Sequence, residues 1–419
     1  MKKILFLTTS YPETRRSASM LCTHRVMECV NASGRYEVHT LCLRYQGEKE
    51  EEVVGGIHVH RSKPSLWMQW RQRVVETRKH HRLERFFEVA QKAVTIPSFP
   101  QTLPLTSHKF YAVARQLQQK ENFDIVVSEH HGLLTLLTGC HFMRDFRVKH
   151  IALLWDPVKG QIATVKLPKS YTDKRIERVE HFVAKYTTLQ ISTESMRHFH
   201  AAKGDIAADH RIYLDIPSIL EPEPEMPTEY LMLFREKSIN IVYSGLLSGT
   251  QRDPRPIISL LNKTDYAERI NILFFSMGAN EVLAETQKIF KGNIVIHDYI
   301  PLSELHTLYL HADYLLNISH VNPNMVPSKI FEYMSYGKPI ISTFPSNGDA
   351  AQKYVDRYPE GLCIDVRCKE TANVSALNAF LSKDHNPVPF DLVKEIFKGN
   401  TPERYLEVLN ETIEGNEII

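Results

Sequence analysis

Short apolar runs rich in Val, Ile and Leu recur along the chain, separated by longer stretches in which apolar residues return every three or four positions. The runs Ile4 to Thr9, Glu37 to Leu43, Asp124 to Val127, Ile151 to Trp155, Leu189 to Ser192 and Ile212 to Leu214 predict strands in the first half. In the second half, Ile239 to Ser244, Ile272 to Ser276, Ile294 to Ile296, Tyr314 to Ile318, Pro339 to Ser342 and Leu362 to Asp365 predict strands on the same grounds. His108 to Gln119, Thr172 to Tyr186, Leu302 to His311 and Val374 to Ser382 carry helical spacing between them. Strands that read as near-continuous apolar runs are buried on both faces, and their alternation with helices implies a parallel sheet covered by helices on each side. The pattern runs twice, so an α/β chain of two similar halves is expected.

Between the halves, Pro217 to Tyr230 holds four prolines and four glutamates with little to bury, as an extended connector would. This divides the chain into residues 1–216, a linker 217–230, a second domain 231–400 and a tail from 401 to 419. The tail opens with a helix signal, Thr401 then Pro402 at the first helical position, followed by Tyr405, Val408, Leu409 and Ile413 at helical spacing. That apolar stripe needs a partner, and packing back onto the amino-terminal domain is expected.

Composition narrows the function. At 419 residues, 43% hydrophobic and 24% charged, the chain is too large for a single binding module and too apolar to be disordered. No apolar run approaches 18 residues, and the one after Met1-Lys2-Lys3 is too short for a signal peptide, so a cytoplasmic location is expected. The six cysteines match no zinc or disulfide framework and read as reduced thiols. The net charge of +2 conceals an asymmetry: residues 1–216 hold 33 Lys and Arg against 22 Asp and Glu, leaving 18 against 27 in the rest. An excess of +11 in the first half suits an anionic partner there.

The most informative stretch is Asn322-Pro323-Asn324-Met325-Val326-Pro327-Ser328-Lys329-Ile330-Phe331-Glu332-Tyr333, followed by Gly337 and Pro339. Pro327 suits the first turn of a helix and Gly337 its end, so a short helix opens beyond the carboxyl end of the strand Tyr314 to Ile318. In open α/β sheets that edge receives ligands. Ser328 and Glu332 lie one turn apart with Lys329 beside them. A carboxylate there can accept from both hydroxyls of a ribose, and the ammonium can neutralise a diphosphate. On this reading the helix needs Glu332 for no structural reason, and its loss leaves the free protein's stability unchanged.

The stretch resembles the nucleotide-sugar site of the retaining GT-B glycosyltransferases of the large family that includes bacterial sugar transferases and sucrose synthases. It is similar in particular to their Pro-Ser-Lys-x-x-Glu-Tyr branch, common in polysaccharide assembly. Ile241-Val242-Tyr243-Ser244-Gly245 followed by Arg252 and Arg255 resembles the family's strand, glycine turn and basic phosphate-binding segment, and Asn293 to Asn317 its stretch before the donor motif. The opening strand with Ser10-Tyr11-Pro12 resembles its start. The resemblance implies a GT-B fold, two Rossmann-like domains facing across a cleft, with Gly245, Arg252, Arg255, Val326, Ser328, Lys329 and Glu332 on the donor. It further implies retention of anomeric configuration without a required metal or other cofactor, and no Asp-x-Asp of the metal-chelating kind occurs.

Departures from the family pattern mark further candidates. Asn324 stands where the first of two glutamates with seven residues between them falls, so a sugar-binding amide replaces a charge. The loop after the first strand, usually glycine-rich, carries Arg15 and Arg16, which can hold a donor or acceptor phosphate. Trp155-Asp156 falls where the family often has His-Asp, and only Asp156 matches, as a group that orients an acceptor or sugar hydroxyl or else caps the turn before Pro157. His130 and His131 follow the strand Asp124 to Val127 at the same sheet edge and are candidates for the acceptor. Asp156, Asn324 and Lys329 make up the expected catalytic set.

Arg61 to Arg85 carries eight Lys and Arg against two Glu, with Leu66, Trp67, Trp70 and Val74 near helical spacing. Trp67, Trp70, Arg71 and Arg73 then suit peripheral attachment to an anionic membrane surface, and no nucleic-acid module appears. The combined reading is a glycosyltransferase passing a sugar from a nucleotide sugar to a saccharide or lipid-linked acceptor. Two other readings stay open: a nucleotide-sugar epimerase of the same fold, and a binding subunit that keeps the fold without activity.

Overall fold

The computed structural model describes all residues except 12–17, 71–89, 91–95, 102, 131, 156–166, 204–206, 279, 324, 346 and 416–419. The chain forms two compact units, Met1–Pro217 with Pro402–Ile419, and Ser218–Thr401. In the first, β1 (Lys2–Leu7), β2 (Tyr36–Leu43), β3 (Glu51–Val54), β4 (Ile57–Ser62), β5 (Ile125–Glu129), β6 (Lys149–Leu154), β7 (Leu189–Thr193) and β8 (Arg211–Leu214) build one sheet in the order β3-β4-β2-β1-β5-β6-β7-β8. All neighbours are parallel except β3 on β4. Ile4 pairs with Val38 on one side and Ile125 on the other, and all three are buried.

The second unit carries β9 (Ile239–Leu246), β10 (Ile270–Met277), β11 (Asn293–His297), β12 (Tyr314–Ile318), β13 (Ile340–Phe344) and β14 (Gly361–Asp365), ordered β11-β10-β9-β12-β13-β14 and wholly parallel. This is the Rossmann strand order, whose direction of growth reverses between β9 and β12. In the first unit the same reversal falls between β1 and β5.

Two strands, β3 and β4, were not anticipated. Glu51-Glu52-Val53-Val54 is a charged edge strand, as edges that resist further pairing tend to be. Ile57 to Ser62 alternates apolar residues with histidines and is buried throughout except for the partly exposed His58. The basic stretch from Arg61 therefore begins inside the sheet. The Arg61 side chain is buried, donating to Glu52 Oε1 at 2.6 Å and to the Tyr11 carbonyl at 2.8 Å, so it contributes nothing to a surface patch.

The proline-rich stretch after Pro217 has neither helix nor strand before Glu229, yet it is tied to the second unit. Leu220 N–H donates to Ser335 Oγ at 3.3 Å, Met226 N–H to Thr307 Oγ1 at 2.8 Å, and Thr228 Oγ1 to Glu304 Oε2 at 2.7 Å. The closing helix Pro402–Glu414 lays Tyr405, Val408, Leu409 and Ile413 against Ile4, Phe6, Val26 and Val127 in the core of the first unit. Tyr405 also donates to the Asp215 carbonyl at 2.9 Å.

Candidate functional site

Ligands of open α/β sheets bind beyond the carboxyl ends of the strands, where the strand order reverses. In the second unit that point lies between Ser244-Gly245 at the end of β9 and Ser319 after β12. Gly245 has φ of +145°, a conformation that L side chains rarely adopt, one residue before β9 ends at Leu246. The two exit loops are joined: Val321 N–H donates to the Gln251 carbonyl at 2.9 Å, while Ser248 and Arg252 exchange backbone hydrogen bonds at 3.1 Å. This places the Arg252 guanidinium near Tyr243 and near His320, whose imidazole burial and the Arg252 charge together hold below its ordinary pKa range. Arg255, expected beside it, is exposed and clamps Asp253, with Nη2 to Oδ2 at 2.6 Å and a further donation to the Gly249 carbonyl. Its donors serve the local turn.

The motif helix runs Lys329–Ser335, with Val326 and Ser328 half-buried in the loop that leads into it. Glu332 is 6% exposed. Its Oε1 accepts from Lys329 Nζ at 2.8 Å and lies 3.3 Å from His306 Nε2. Lys329 Nζ also donates to Tyr309 Oη at 3.2 Å. Tyr309 hydrogen-bonds Ser244 Oγ at the end of β9, and the Ser244 N–H donates to Tyr333 Oη at 3.1 Å. Burial keeps both phenols neutral, pushing Tyr309 far up and Tyr333 to about 12.

Lys329 and Glu332 thus belong to one polar network joining β9, the helix Leu302–His311 and the motif helix. The expectation that Glu332 has no structural role is corrected: it is the buried acceptor that offsets the Lys329 charge and faces His306. Removing one member of such a pair leaves the other uncompensated. Lys329 keeps 27% of its side chain in solvent, so it is the member of the pair that remains open to a ligand.

Several members were not singled out from the sequence. His306 and Tyr309 sit three apart on the covered face of their helix, which periodicity does signal, though not what they meet. Asp349 was missed altogether. It is buried in the loop after β13, its Oδ1 accepts from Ala351 N–H at 2.8 Å, and Ala350 N–H donates to the Pro323 carbonyl, so this carboxyl lies beside the motif loop. Burial raises its pKa to about 6, against the opposing pull of its Ala351 hydrogen bond.

In the first unit the equivalent edge differs from expectation. His130 is wholly buried rather than open at the sheet edge. Trp155 is a core residue: Nε1 donates to Thr23 Oγ1 at 2.9 Å and its ring meets that of Tyr405 at 5.8 Å. Beside them the sequence hid Glu129, the last residue of β5, wholly buried and without a charged partner for its carboxylate. Burial raises its pKa to about 8. Residues 66–70 are helical, with Trp67 half-buried and Leu66 and Trp70 exposed. Arg15, Arg16, Arg71, Arg73, His131, Asp156 and Asn324 lie outside the described residues.

Two Rossmann-like α/β units with this strand order and a closing helix returned to the first unit make up the GT-B fold, and solved structures share it along the whole chain. An Anabaena protein, HepE, solved with UDP and glucose, superposes at a TM-score of 0.61 and 12% identity over 98% of this chain and 100% of its own. A UDP-forming α,α-trehalose-phosphate synthase from Burkholderia xenovorans, solved with glucose-6-phosphate, gives 0.63 and 10% over 99% and 100%. Sucrose-phosphate synthase from Thermosynechococcus elongatus gives 0.60 and 13% over 99% and 97%. No family model matches the sequence, and no curated protein does.

Proposed function

We propose that the protein is a glycosyltransferase that moves a sugar from a nucleotide-sugar donor to a saccharide or lipid-linked acceptor, with retention of configuration, in polysaccharide or glycolipid assembly. The observation that carries this reading is the network of Lys329, Glu332, His306, Tyr309 and Ser244 at the reversal point of the second sheet. In the proposal the Lys329 ammonium and the Arg252 guanidinium meet the diphosphate as preorganised positive charge, so the leaving group needs no divalent metal there. In this reading Glu332 is the acceptor for the ribose hydroxyls. Asn324 and Asp156 orient the transferred sugar and the acceptor hydroxyl, and Arg15 and Arg16 hold a phosphate.

Nucleotide titration tests the donor half. Lys329→Ala is expected to weaken UDP, GDP or ADP, whichever the wild type binds, by about tenfold or more, since a charge-assisted hydrogen bond contributes roughly 1.5 to 3 kcal/mol. The matching nucleoside without phosphate should bind almost as before. An equal loss for nucleoside and diphosphate would place Lys329 away from the phosphates. Donor turnover measured with and without candidate acceptors then separates the readings: a transferase needs the acceptor, an epimerase converts the sugar without one, and a binding subunit does neither. The last is favoured by one observation, the burial of Trp155 where the resemblance has a histidine.

We further propose that the protein attaches peripherally to an anionic membrane through the segment containing Trp67, Trp70, Arg71 and Arg73, at the inner face of the cytoplasmic membrane. No helix among the described residues is long and apolar enough to cross a membrane. The exposed Leu66 and Trp70 lie four residues apart, a spacing that puts both on one helical face. The protein should sediment with anionic but not neutral vesicles, and less so in high salt because exposed charges are screened. Trp70→Ala should reduce sedimentation further. Equal sedimentation with both lipids would remove the electrostatic basis of the proposal.

A further inference from the structure

We propose that Glu37, His39 and His58 form a binding site for a divalent transition-metal ion at the amino edge of the first sheet, the edge opposite the one that receives ligands. One ligand atom from each lies within 4.8 Å of the others. Two imidazole nitrogens and a carboxylate are a usual set for Zn²⁺, with a fourth position left for water. The sheet creates the grouping: β2 and β4 are parallel neighbours, His39 stands opposite His58 in register, and their rings stack with centroids 4.6 Å apart.

A count of protons leaves room for one further cation, a proton or a metal ion. Glu37 Oε1 lies 2.9 Å from His39 Nε2, His39 Nδ1 lies 3.0 Å from His60 Nε2, and His60 Nδ1 lies 3.3 Å from Glu51 Oε1. These three links, carboxylate to imidazole to imidazole to carboxylate, need three protons. Two neutral imidazoles carry two. One link then sets a lone pair against a lone pair, unless a ring is protonated or another cation stands in the gap.

A metal ion on His39 Nε2 and Glu37 resolves the count. His39 Nδ1–H then donates to His60 and His60 Nδ1–H to Glu51, so a carboxylate fixes the tautomer of the metal-bound histidine through one intervening ring, as outer partners of metal sites do. Lys3 competes for Glu37 at 3.1 Å, but it is also paired with Glu121 at 2.7 Å and keeps that partner when Glu37 turns to the metal. The ion would pin β2 to β4 and would take no part in sugar transfer.

The test uses the full-length protein, freed of metal with a chelator and titrated calorimetrically with Zn²⁺ and, by visible absorption, with Co²⁺. Wild type should take up one equivalent that His58→Ala and Glu37→Gln lose or bind at least tenfold more weakly. Both positions are partly exposed, so these variants should fold. Glu51→Gln, which acts on the site only through His60, should weaken binding about tenfold without abolishing it. His181→Ala, at an exposed histidine, should match wild type, and Zn²⁺ should raise the melting temperature of wild type but not of His58→Ala. No uptake of Zn²⁺, or uptake unchanged in His58→Ala and Glu37→Gln, overturns the proposal and assigns the third position to a proton.

Discussion

Glu332→Ala should weaken nucleotide binding by about ten- to a hundredfold, because hydrogen bonds to a charged acceptor contribute roughly 1.5 to 3 kcal/mol and each 1.4 kcal/mol is tenfold. The same substitution should lower the melting temperature of the ligand-free protein, since it strips Lys329 and His306 of their shared acceptor. The stability cost is about 1 to 3 kcal/mol, limited by the part of Lys329 that water already reaches. The two effects separate in Glu332→Gln. Its amide oxygen can still accept from Lys329, so most of the stability should return, while the ribose loses a charged acceptor and affinity should remain reduced. Calorimetric titration together with melting curves reads both quantities. Wild-type affinity in Glu332→Ala would leave the network as a structural feature and take away the main support for a nucleotide site.

The second large effect is expected at Glu129. Its carboxyl is raised from an ordinary 4.5 to about 8 by burial, against the weaker opposing pull of the Thr9 backbone. Between those two pH values the folded protein holds a proton that the unfolded chain has lost. Stability therefore falls as pH rises, by about 1.4 kcal/mol per unit for this one group. The contribution is fully present below about pH 4.5 and is lost by about pH 8, so at pH 7 the cost is on the order of 3 kcal/mol. Glu129→Gln keeps the shape and does not titrate. Its melting temperature should gain on wild type steadily from pH 5 to pH 8 and level off above.

Comparing the two proteins at each pH isolates Glu129 from His24 and His150, which burial depresses to about 4 and which act in the opposite direction at low pH. A difference that is constant with pH would mean that Glu129 is ionised or paired in the folded state. A carboxyl kept neutral near physiological pH at a reversal point of a sheet is also a group poised to give or take a proton. The pH dependence thus bears on the chemistry of that edge as well as on stability.

Much of the architecture was legible in the chain because burial on two faces leaves a direct mark. Runs such as Ile241-Val242-Tyr243 and Tyr314-Leu315-Leu316 have no polar face to show, and they became adjacent central strands β9 and β12. Tyr405, Val408, Leu409 and Ile413 announced a helix with one apolar side by their spacing alone. The strand Glu51–Val54 left no such mark, because a charged edge strand is stabilised by its neighbour rather than by apolar burial.

At the candidate site, the sequence by itself determined the residue types, their spacing on a short helix and that helix's place after β12. It could not tell whether Glu332 faced water. Periodicity assigns a residue to a side of a helix, but what covers that side is decided by the crossover that brings the helix Leu302–His311, with His306 and Tyr309, against it from 26 residues away. The same holds for Glu37, His39, His58 and His60, which read along the chain as ordinary polar positions of an alternating pattern. Only the parallel pairing of β2 with β4 sets His39 against His58, and only the antiparallel pairing of β3 with β4 sets Glu51 against His60. Local patterns of burial are written residue by residue, whereas charge and proton balance depend on which strands and helices become neighbours, and that is a property of the folded chain alone.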